Sequence, residues 1–121
     1  MIDMHRLERE DKTMFAVLLS GRLTQPEYEV FRAHFESEIR HHKTLRVMFE
    51  IEDGLSWQPR SQWRDLKFDS HHHTDIYKLA IVGGDQAWRD WVGTAFSPMK
   101  IGHILQFSSD QKPLAKTWLE R

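Results

Sequence analysis

The sequence predicts a single α/β domain: a mixed sheet of about five strands, opening with a hairpin and continuing through parallel crossovers, with about four helices mainly on one face. Three observations carry this. Two short apolar segments at the N-terminus are separated only by a charged turn. Segments of period 2 and period 3.6 then alternate to the end of the chain. The length, 121 residues, suits one domain and leaves little room for a second.

Ile2, Met4 and Leu7 alternate loosely with polar residues, and the charged stretch 8–12 supplies a turn. Residues 14–19 are a continuous apolar run, short enough for a buried strand. Two strands with so tight a connection form a hairpin. Gly21 breaks the run, and Thr24 with Glu27 three residues later gives a capping-box signature, with Pro26 suited to the first helical turn. Such a cap contributes about 1 kcal/mol and fixes the helix start. Tyr28, Phe31, Phe35 and Ile39 fall on one helical stripe, while Glu29, Arg32, Glu36 and Arg40 face outward.

Leu45, Val47, Phe49 and Ile51 alternate with Arg46, Met48 and Glu50, a strand with one apolar and one mostly polar face. Residues 53–57 are a loop ending near Pro59. A second helix is expected over residues 61–68, carrying Trp63 and Leu66, followed by a polar connection, 69–75, with three histidines. Residues 76–82 form the next strand, stopped by Gly83-Gly84. Asp85 caps a third helix in which Ala87/Trp88, Trp91/Val92 and Ala95/Phe96 recur every four residues, and Pro98 ends it. Residues 101–107 are the last strand. Ser108 or Ser109 opens a final helix with Leu114, Ala115, Trp118 and Leu119 on one side. The alternation over 45–51 places the helices on one sheet face. The other face stays partly open or pairs with a second subunit.

There is no cysteine, which excludes disulfides, thiolate metal sites and a Cys nucleophile. Lys and Arg (17) nearly balance Asp and Glu (18), so no bulk field draws the protein to nucleic acid. The first residues lack the basic patch and apolar run of a signal peptide, and no apolar stretch approaches the roughly 20 residues of a membrane span. A soluble, cytoplasmic domain is expected.

Several motifs, in their order and spacing, resemble the SpoIIAA-like family, relatives of STAS domains. They are Gly21-Arg22-Leu23-Thr24 with Tyr28 and Phe31, Trp63-Arg64-Asp65-Leu66-Lys67-Phe68, Leu79-Ala80-Ile81-Val82-Gly83, Trp88, Phe107, and Ala115 with Trp118-Leu119. The resemblance implies a STAS/SpoIIAA-like mixed sheet and a module that binds partner proteins, nucleotides or small ligands without catalysis. It also implies similarity to lipid-carrying CRAL-TRIO domains. Anti-sigma antagonists of the STAS group carry a phosphorylatable Ser in an Asp-Ser-Gly turn. The matching loop here is Glu52-Asp53-Gly54-Leu55-Ser56-Trp57, with Ser56 in the neighbourhood but no Ser-Gly pair.

The remaining candidates for chemistry have plain explanations. Three adjacent histidines, His71-His72-His73, point in different directions in any regular structure, so a solvated loop accounts for them better than a metal site. His41-His42 complements a helix C-terminus. No Gly-x-Ser-x-Gly elbow exists for a hydrolase, and His103 is expected as a packed strand residue. Gly83-Gly84-Asp85 lacks the Lys-Ser/Thr of a phosphate loop, and Asp85 repels an anion there. No catalytic set, cofactor or metal is expected.

The aromatic pattern is more informative. Trp57, Trp63, Phe68, Trp88, Trp91 and Phe96 crowd into two helices and their approaches. Trp88 and Trp91, together with Phe96, Pro98 and Met99, exceed what one face buries, leaving an apolar rim suited to a ligand cleft, a subunit contact or a membrane surface. Packing alone is the competing explanation. The first reading is therefore a binding module for a hydrophobic small molecule or lipid, with peripheral membrane contact. The alternative is a regulatory domain docking a protein partner through Asp53 and Ser56, and a homodimer is compatible with either.

Overall fold

The computed structural model describes residues 1–9, 12–40, 44–57, 75–97 and 99–121. Strands β1 (Ile2–Arg9) and β2 (Lys12–Leu19) form the N-terminal hairpin; a short strand β3 (Arg22–Leu23) and helix α1 (Gln25–Ile39) follow. Then come β4 (Thr44–Ile51), β5 (Ser56–Trp57), β6 (Asp75–Gly83), helix α2 (Gln86–Phe96), β7 (Ile101–Phe107), a 3-10 turn (Ser109–Gln111) and helix α3 (Lys112–Glu120). Five strands make one sheet in the order β1-β2-β4-β6-β7, antiparallel only between β1 and β2. The expected hairpin and parallel crossovers are thus present. Three α-helices lie among the described residues; the helix expected over 61–68 lies outside them.

One expected loop is partly a strand. Ser56–Trp57 pairs in parallel with Arg22–Leu23, a two-stranded ribbon beside the main sheet. Two residues of extended backbone give no readable period, so sequence patterning misses such a strand.

Helices α1 and α2 cover one sheet face. Tyr28, Phe31, Phe35 and Ile39 of α1 are buried on Phe15, Val17, Val47 and Phe49 of the sheet. One half of the expected capping box is present: the Thr24 hydroxyl accepts from the Glu27 amide, while the Glu27 carboxylate lies 3.3 Å from the Met1 amino group. Asp85 Oδ1 likewise accepts from the Trp88 amide at 3.0 Å, fixing the start of α2. The two helices lock through rings. Tyr28 meets Trp91 edge-on at 4.9 Å, and Phe96 meets Phe49 at 5.3 Å and Phe35 at 6.0 Å. Edge-to-face pairs of this kind contribute about 0.5–1.5 kcal/mol each beyond the area they bury.

Helix α3 packs on the opposite face, over Met14, Met48, Ala80, Val82 and Phe107. It buries Ala115 and Leu119 and half-buries Trp118, but Leu114, expected on the same side, is 57% exposed. The mostly polar face of β4 is thus the one that α3 covers: Met48 is buried beneath it, and Glu50 pairs with Lys112, the first residue of α3, at 2.8 Å.

The β4–β6 register shifts between Leu45 and Arg46, which pair with Ile76 and Lys78 and leave Tyr77 as an extra residue. This bulge resets the alternation. Ile76 packs with the α1–α2 core although Ala80 and Val82, two and three pleats further on, face α3. The neighbouring strand accommodates it through Gly102, where a Cβ would come within 2.8 Å of the Tyr77 carbonyl oxygen.

Candidate functional site

Two hollows flank α2. The first is a groove of about 850 Å³ between α2 and the β6–β7 side of the sheet. Its apolar wall is Leu79, Ile81, Phe96, Met99, Ile101 and Ile104, and its rim carries Arg89, Asp90, Thr94 and Gln106. Alternation on β6 aims Leu79 and Ile81 at this side, while α2 presents Arg89, Asp90, Gly93 and Thr94 at near-helical spacing along the groove. Gly93 leaves the groove open: a Cβ built there meets nothing within 4 Å. Asp90 is held by Gln86, whose side-chain amide donates to Oδ1 at 2.7 Å. The Arg89 Nε is buried and has no hydrogen-bond partner among the described residues. Its guanidinium is the sole cationic side chain lining the groove among those residues.

The second hollow, about 450 Å³, lies at the carboxyl ends of β4, β6 and β7. It is lined by Glu52, Asp53, Gly54 and Leu55 of the loop after β4, by Gly83, Gly84 and Asp85 before α2, and by Ser108 and Ser109 after β7. Trp88 and Arg89 form its α2 wall, so Arg89 is shared by both hollows. Carboxylates dominate this cleft, and Asp85 is already engaged as the α2 cap.

The expected site residues separate. Trp91 is 1% exposed and lines neither hollow, being sealed beneath Tyr28 and against Trp88. Trp88, 6% exposed, walls the acidic cleft, and Phe96, 1% exposed, forms part of the groove. These three do not overflow into an apolar rim; α1 supplies the aromatic surface that absorbs them. Asp53 lines the cleft, and Ser56 is exposed in β5 next to it. Trp63 and Phe68 lie outside the described residues, as do His71-His72-His73, and the Trp57 side chain is likewise outside them. His103, expected as packed, is exposed on β7, with its ring edge-on to Tyr77 at 5.6 Å.

Sequence reasoning missed the groove-lining Arg89, Ile101 and Ile104, whereas Met99, read as part of an apolar rim, does line the groove. One signal was available: Gly93 stands inside α2, where any residue but proline favours the helix more, which marks a position kept bare. No cluster of three or more His, Cys, Asp or Glu among the described residues could hold a metal ion. No helix among them is long and apolar enough to cross a membrane.

A five-stranded mixed sheet with helices on both faces, and with hollows at the strand ends and beside α2, defines a STAS-like α/β domain. The chain belongs to the SpoIIAA-like family, whose model matches residues 14–120. It is also similar in fold to a crystal structure of an uncharacterised DUF3478-family protein with a SpoIIAA-like fold from Shewanella loihica. The TM-score is 0.62 at 22% identity, over 98% of this chain and 93% of that one. No curated protein matches.

Proposed function

We propose that the domain is a non-enzymatic binding module that seats an amphiphile, an apolar chain with an anionic head, in the groove between α2 and β7. The groove itself carries this reading: about 850 Å³ is within the range of small-molecule sites, and its wall is apolar with few polar groups at the rim. Each methylene taken from water contributes about 0.8 kcal/mol, so about six suffice for roughly 5 kcal/mol. Arg89 orients the ligand, since a guanidinium with a buried, unpartnered Nε suits a planar carboxylate or a phosphate oxygen. Asp90 beside it disfavours a head that brings more than one negative charge.

Titration with oleate, followed by calorimetry, tests this. Saturable one-to-one binding is expected, and a flat titration across chain lengths sinks the proposal.

A second reading rests on the acidic cleft. It brings the 52–55 loop, where STAS-like regulators dock partners, against the start of α2. A regulatory protein partner with a basic contact segment suits Glu52 and Asp53 there. Asp53→Lys should abolish capture of such a partner while leaving oleate binding intact; loss of oleate binding instead would count against two separate sites.

A further inference from the structure

We propose that β7 is a self-pairing edge, through which two copies of this chain join antiparallel about a two-fold axis at Ile104. The two edges of the sheet are built differently. β1 carries Asp3, Arg6, Glu8 and Arg9 in its eight residues, the charges that usually blunt an edge against pairing. β7, Ile-Gly-His-Ile-Leu-Gln-Phe, has no Asp, Glu, Lys or Arg and no proline. Its side chains are also bare: Ile104 is 50% exposed on the α2 side of the sheet and Leu105 44% on the α3 side. Both are among the large apolar residues that the fold leaves in water.

Self-pairing centred on Ile104, the midpoint of the strand, engages its whole length. Ile101 then opposes Phe107 of the second copy, Gly102 opposes Gln106, His103 opposes Leu105, and the two Ile104 residues face each other. Like apolar residues meet at the centre without repulsion. Beyond the strand ends, Lys100 of each copy comes opposite the turn holding Ser108 and Asp110, so opposite charges meet twice. Parallel pairing would instead set Lys100 beside Lys100. Lys100 is exposed and has no ion pair among the described residues. This symmetry, in which one patch complements itself, is what a second copy of the chain supplies and an unrelated strand does not. Ile104 also lines the groove, so the two grooves open side by side across the axis. The pairing does not depend on what fills them.

The test is the mass of the full chain in solution by light scattering and native mass spectrometry. Wild type is expected at twice 14.5 kDa. Ile104→Lys sets two like-charged side chains directly opposite each other, their Cβ atoms about 5 Å apart across the axis, and should run at 14.5 kDa with an unchanged far-UV spectrum. Ile104→Glu should do the same, and an equal mixture of the two variants should return to the dimer. Lys100→Glu should weaken the dimer, and Lys100→Glu with Asp110→Lys should restore it. A wild-type monomer at every concentration overturns the proposal. So does a dimer indifferent to both Ile104 variants, or a mixture that stays monomeric.

Discussion

Lys78 donates from Nζ to the carbonyl oxygen of Trp118 at 2.8 Å, and its ammonium also sits 5.0 Å from the centre of the Trp118 ring. The same Nζ reaches the Arg121 carbonyl at 2.8 Å, and Arg46 Nη1 donates to Leu119 and Arg121 at 2.7 and 2.8 Å. Two sheet cations thus bond to the carbonyls at the end of α3, where the helix dipole is negative; that of Trp118 also accepts from the Arg121 amide. Lys78 is only 7% exposed, so this contact is shielded from water. Lys78→Met keeps the stem and removes the donors. It should cost about 1–3 kcal/mol in urea denaturation and speed amide exchange in α3 before other elements. A loss under about 0.5 kcal/mol would show that Arg46 alone anchors the helix.

Gly83 ends β6 with φ +79, and a Cβ there would lie 2.5 Å from the Ile51 carbonyl oxygen. Gly54 has φ +82, but nothing lies within 4 Å of the place a Cβ would take. Gly54→Ala should therefore cost only the left-handed backbone penalty of about 1–2 kcal/mol. Gly83→Ala adds the overlap with backbone that cannot yield, about 1–3 kcal/mol more. Equal losses from the two variants in thermal denaturation would contradict this ordering.

Arg89 separates head recognition from chain burial. Arg89→Gln should weaken oleate binding about 10- to 100-fold, the worth of one hydrogen bond to a charged group. Binding of oleyl alcohol, which brings the same chain without the charge, should change little. An equal loss for both ligands, measured by calorimetry, would assign Arg89 a structural part in the groove instead.

Much of the fold is legible in the sequence because it is written in period. The Tyr28, Phe31, Phe35, Ile39 stripe and the Leu45, Val47, Phe49, Ile51 alternation each face the core as read. Thr24 and Asp85 cap where their side chains indicate. What escapes is set by tertiary contact. The bulge at Tyr77 turns Ile76 onto the other face, and no local pattern announces a missing pairing partner. The strand Ile101–Phe107 is legible as a strand, but its place at the edge is not, since an apolar composition suits either place. Trp88 and Trp91 look surplus on α2 only until α1 is laid against them. The groove is equally hidden, because its wall is drawn from β6, α2 and β7 together.

The most direct test of the account is to fill the groove from within. Gly93 lies in the middle of α2 and lines the groove, with nothing within 4 Å of the place a Cβ would take, so Gly93→Leu projects a side chain into it without a clash at the Cβ. The helix should gain stability, by about 0.5–1 kcal/mol from replacing glycine. Oleate affinity, measured by calorimetry alongside wild type, should fall at least about tenfold, equivalent to about 1.4 kcal/mol. A variant that is more stable and no longer binds is the result expected of a ligand groove. A variant that is more stable and binds oleate as wild type does would contradict it, and would place any ligand elsewhere on the domain.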